Sequence, residues 1–126
     1  MRCLVLAILT ATILGAPAAQ AQCMRAMGAA KAEGYLTVGR FRDAAGRPET
    51  AYILRLRRPV CLDGAEDNDA RKGTRRIQVF SPEDRTARKI RRLVGRNVAV
   101  TGEPFRQHTA HHHAPIVMTV TEIGLR

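Results

Sequence analysis

Five stretches of period-two apolar alternation, interrupted once by helical grammar, constrain this chain more than anything else in its sequence. In the first stretch, Gly34 to Arg42, Leu36 and Val38 alternate with Thr37 and Gly39, as in a half-buried strand with a bend or bulge at Gly39. Asp43 to Pro48, with Gly46 and Pro48, reads as a turn. Ala51 to Arg57 puts Tyr52, Leu54 and Leu56 on one face and Ile53, Arg55 and Arg57 on the other, a second strand ending at Pro59. Thr74 to Phe80 resumes the alternation through Ile77 and Val79. At Ser81-Pro82-Glu83-Asp84 the pattern changes to an N-cap serine, a proline at the first helical position and acidic residues in the first turn. Ala87, Ile90, Leu93 and Val94 then recur at helical spacing until Gly95 supplies the stop, which predicts a helix of about 12 residues. Asn97 to Gly102 and Ile116 to Ile123 read as the last two strands.

Three strands, a helix and two strands is the order of the OB-fold, a five-stranded Greek-key barrel. The expectation is a mainly β OB-like barrel with its one α-helix between strands 3 and 4. An open α+β sheet with one covering helix fits the same string of elements. The 126 residues divide into 1–21, a candidate leader; 22–33, a lead-in whose structure the pattern leaves open; and 34–126, a single OB-like domain.

The leader reading rests on Arg2, an apolar run from Leu4 to Leu14, a break at Gly15 and Pro17, and the small-x-small ending Ala19-Gln20-Ala21. The run is short of the roughly 20 residues that cross a bilayer as a helix, so a cleaved secretory signal is expected, with no transmembrane segment left in the mature chain. Cys23 raises the possibility of lipid attachment, but Gln22 before it is not the small residue that reaction wants. The expected location is periplasmic or secreted. In an oxidising compartment Cys23 and Cys61 are a candidate disulfide, with two free thiols as the alternative.

Charge narrows the partners. Of 21 Lys and Arg only Arg2 leaves with the leader, and all 11 acidic residues stay, so the mature chain carries 20 minus 11, or +9. Arg85, Arg88, Lys89, Arg91 and Arg92 concentrate this charge on the helix, where cations suit the later turns and make a basic surface for an anionic envelope component. The chain has no Trp and few aromatics, a poor supply of the stacking platforms that single-stranded nucleic-acid binders use.

All four histidines fall in one connection, His108-Thr109-Ala110-His111-His112-His113-Ala114-Pro115. On an extended backbone His111 and His113 project to one side and His112 to the other, while His108 folds back. Converging neutral imidazoles suit Zn, Cu(II) or Ni(II), and three of them make an open zinc site. Rings that pack the barrel mouth or bond backbone carbonyls account for the same string. Asp63, Glu66, Asp67 and Asp69 offer hard oxygen ligands, but not at the spacing of an EF-hand loop. Cys61 lies near a strand end with no adjacent base, and Ser81, the chain's one serine, is taken as a helix cap, which argues against cysteine and serine nucleophiles.

Val60-Cys61-Leu62-Asp63-Gly64, Leu93 to Gly102 and the histidine string together resemble small exported bacterial proteins grouped as domain of unknown function 4431, over roughly Gly34 to Ile123. Ala110 stands where a glycine is expected in that string. The resemblance implies an OB-like domain and no assigned activity. The functional expectation is an exported, non-catalytic binding module with His108, His111, His112 and His113 as the candidate metal or ligand site. One alternative is a metal-dependent hydrolase using the same rings with Glu103, Asp63 or Glu122 as the nearby carboxylate. The other is a basic interaction or inhibitor protein.

Overall fold

A computed structural model describes residue 15 and residues 22–64 and 72–126. The leader reading, and Glu66, Asp67 and Asp69 of the acidic loop, lie outside the described residues. The chain forms β1 (Gln22–Arg25), β2 (Ala30–Arg42), β3 (Pro48–Asp63), β4 (Thr74–Phe80), α1 (Asp84–Arg92), β5 (Asn97–Arg106) and β6 (Ile116–Leu125).

Strands β2 to β6 close a barrel in the spatial order β2-β3-β4-β6-β5 and back to β2. All neighbours are antiparallel except β4 and β6, which run parallel and are joined through α1 and β5. This is the expected OB-like Greek key with its helix after the third barrel strand, and the open-sheet alternative falls with the closure. Closure turns the apolar face of every strand onto one shared interior. Leu36, Leu54, Ile77, Val98, Ile116 and Met118 fill the interior with no exposure at all, each worth about 1.5–3 kcal/mol of apolar transfer.

Several boundaries differ from the sequence reading. β2 begins at Ala30, because residues 30–35 pair with β5 before the strand passes to β3 at Tyr35. At that crossing a Cβ on Gly34 would overlap the Arg55 carbonyl oxygen, so the two backbones approach as only glycine allows. Gly102 does the same against Thr119 where the β5–β6 register shifts, a bulge that tightens the barrel. β3 runs through Pro59 instead of ending there. The β3–β4 register slips between Arg55 and Val60, so the missing proline N–H interrupts no regular ladder.

Residues 22–33, read as a lead-in, are part of the sheet. β1 lies parallel to the end of β3, with Cys23 opposite Cys61 at disulfide distance and a Cα separation of 4.2 Å. The helix is shorter than predicted, nine residues from Asp84. Ser81 does not cap it. Its Oγ accepts from the Glu83 amide at 3.2 Å, closing a turn before the helix, and Glu83 stands at the N-cap without a side-chain cap bond. Ile90 inserts into the barrel core and Gly95, at φ +84°, ends the segment by donating its N–H to the Leu36 carbonyl at 2.7 Å.

Candidate functional site

The hairpin joining β2 and β3 sets the first half of the site. Asp43 Oδ1 accepts from the Ala45 and Arg47 amides, each at 2.9 Å, and Gly46 takes φ +77°. With the turn fixed, register pairs Phe41 with Glu49, Gly39 with Ala51 and Thr37 with Ile53. These residues share the outer face of the barrel. Ile53 is nevertheless only 4 % exposed.

Its cover is the histidine-rich loop. Residues 107–115 connect β5 to β6, closed at the base by the Gln107 N–H donating to the Pro115 carbonyl at 3.1 Å. The loop folds onto the outer face, where Ala114 buries itself on Ala51, Ile53 and Phe41. Gln78 of β4 acts as a strut: its Oε1 accepts from the His113 amide at 2.6 Å and its Nε2 donates to the His111 carbonyl at 3.0 Å. Arg76 Nη2 adds a bond to the His113 carbonyl at 2.9 Å.

The four rings divide into two pairs. His111 Nδ1 donates to Glu49 Oε2 at 2.7 Å, His113 Nε2 donates to Glu49 Oε1, and the His113 ring stacks on Phe41 with centroids 4.2 Å apart. The two imidazole N–H groups, His111's first and then His113's, hold the Glu49 carboxyl below its ordinary value. On the other side His112 Nδ1 accepts from the His108 and Thr109 amides at 3.0 and 3.3 Å, which only an unprotonated nitrogen does. Burial, followed by the charges of the neighbouring rings, holds His112 below its ordinary value. His108 Nδ1 donates to the Arg106 carbonyl at 3.1 Å. Both of these rings pack near Phe105.

This pairing bears on metal binding. His112, accepting at Nδ1, carries its proton at Nε2 and offers no outward lone pair, whereas His108 and His111, donating at Nδ1, do at Nε2. Among the described residues no three His, Cys, Asp or Glu side chains gather as a metal-holding group. The carboxylate that reaches the rings is Glu49. Of the three carboxylates anticipated for a hydrolase, Glu103 shares a cleft with His108. That open cleft, of about 450 Å³, is lined by Met27, Glu103, Phe105, Arg106, His108 and Thr119. Met27 overhangs it from the β1–β2 turn at φ +59°, its amide bonded to the Pro104 carbonyl.

Residues 76–124 match the family described as Domain of unknown function (DUF4431). The match covers 49 of the 126 residues. The matched segment runs from β4 through α1 to β6 and contains the whole histidine loop, its strut Gln78 and Arg76, but neither Glu49 nor the cysteine pair. No curated protein matches the chain.

Arg85, Arg88, Lys89, Arg91 and Arg92 are all exposed on α1. Among the described residues no helix is long and apolar enough to cross a membrane, which with the cysteine pair is compatible with export. Glu49, Gln78, Phe41 and Arg76 escaped the sequence reading. Phe41 and Glu49 were accessible in principle, since a five-residue turn fixes them opposite each other. Gln78 and Arg76 carry no local signal, because their partners are backbone groups more than thirty residues away.

Proposed function

We propose that this protein is an exported, non-catalytic binding module, and that its ligand seats in the cleft walled by the histidine-rich loop. The observation that carries the reading is the state of Glu49. A metal-dependent hydrolase built on these rings would use a nearby carboxylate with an oxygen open to take a proton. Glu49, the carboxylate that reaches the rings, has both oxygens engaged by imidazoles. The rings thus act as struts that hold a wall in place. Beside that wall the cleft combines an apolar floor, Met27 and Phe105, with His108 as a polar contact, the composition of a small-molecule site.

The test uses mature protein without a histidine tag. The apolar anion 8-anilinonaphthalene-1-sulfonate is expected to bind saturably, and Met27→Asn or His108→Ala to weaken it by roughly fivefold or more. Equal binding by both variants refutes the cleft. Stoichiometric zinc in the purified protein, lost on His111→Ala with His113→Ala, replaces this reading with the metal site.

A further inference from the structure

Away from the loop, the barrel's outer face carries a second arrangement. Register places Asn97 of β5 opposite Tyr35 of β2, Tyr35 opposite Arg55 of β3, and Arg55 opposite Arg76 of β4. Paired residues on neighbouring strands point to the same side, so these four form one transverse row. All are exposed, Tyr35 by 46 %. The row crosses three inter-strand steps, roughly 14 Å at about 4.8 Å each. Arg57, also exposed, follows Arg55 on the same face of β3.

Two arginines directly opposite each other repel, a cost a sheet carries without return unless an anion sits between them. Among the described residues, two carboxylates of this face are already answered: Glu33, two residues before Tyr35, pairs with Arg126, and Glu49, at the far end of the face, is held by His111 and His113. Arg76 is oriented by its bond to the His113 carbonyl. The row therefore presents the Arg55 guanidinium fork, which matches a carboxylate bidentately, and the remaining N–H groups of Arg76, beside one aromatic ring and one amide.

We propose that this row is a binding surface for an acidic oligosaccharide. Carboxylates on the sugar meet Arg55 and Arg76, a ring packs on Tyr35, and hydroxyls bond Asn97. Single-stranded nucleic acid shares the charge but draws on successive aromatic platforms, and the row has one. Strands β3 and β4 are the second and third of the barrel, the face an OB-fold uses for extended ligands. The site is separate from the cleft beside His108, and Arg55→Gln alone, which leaves the Arg76 bond to the loop in place, tests it independently of that reading.

Calorimetric titration of the mature protein with oligogalacturonate, a neutral glucan of equal length and oligothymidylate tests it. Oligogalacturonate is expected to bind and the glucan not to. Arg55→Gln with Arg76→Gln is expected to weaken binding by about tenfold or more, and Tyr35→Leu by roughly fivefold. Arg88→Gln with Arg91→Gln on α1 removes the same charge and is expected to change affinity by less than about twofold. No binding of oligogalacturonate, equal loss in the helix variant, full affinity in Tyr35→Leu, or equally tight oligothymidylate each overturns the proposal.

Discussion

Replacing Gln78 by methionine tests whether a single side chain holds the histidine loop in place. Methionine has nearly the same length and tolerates the site, where Gln78 is 9 % exposed, but it can neither accept from the His113 amide nor donate to the His111 carbonyl. Each bond is worth a net of about 1 kcal/mol. If the loop stayed docked, the two orphaned backbone groups would cost more than that. Because the loop can lift and return them to water, the loss is capped near the two bonds, about 2 kcal/mol, or roughly a 30-fold rise in the open population. Two local signals report it by NMR. The Gln107 amide, bonded to Pro115 at the loop base, should exchange faster by that factor, and the His113 ring protons should lose the ring-current shift of their stack on Phe41. Amides of the barrel strands, such as Val100, should not change. An unchanged Gln107 rate with the His113 shift intact would refute the strut, and so would an equal acceleration at Val100.

Further outcomes follow from the cysteine pair and the titrating groups. Cys23→Ala with Cys61→Ala opens a link spanning 38 residues, which the chain-entropy model values at about 4 kcal/mol. The denaturation midpoint should fall accordingly and become insensitive to reductant, and a wild-type midpoint indifferent to reductant would contradict the pairing. His112 and Glu49 both have folded values below their unfolded ones, so each contributes stability that is present above the unfolded value and lost on acidification. The His112 contribution goes first, as the pH drops below its ordinary 6.5 toward the lowered folded value, and that of Glu49 follows below 4.5. His112→Asn keeps an acceptor for the two amides without a titrating ring, so below pH 6.5, and before Glu49 titrates below 4.5, the loop should hold its order while the wild type loosens. Matching pH profiles of the His113 ring shift in the two proteins would contradict that account.

The strand order and the helix were legible because alternation and helical spacing are local properties. Leu36, Leu54, Ile77, Val98 and Ile116 follow the interior parity that the sequence assigns them. β1 was not legible: four residues gain a strand only from the exposed end of β3, which exists once β3 runs through Pro59. Ile53, on the same face as Arg55 and Arg57, is buried because a loop sixty residues later lies on it.

The histidine string shows the same division. Its clustering, and the projection of His111 and His113 to one side and His112 to the other, came from the sequence alone. What the rings do was decided by the closed barrel, which brings β3 and β4 under the loop and so supplies Glu49, Phe41 and Gln78 as partners. Periodicity determines which face each strand buries; register between distant strands decides which side chains meet on the other face, and that depends on how the whole sheet closes.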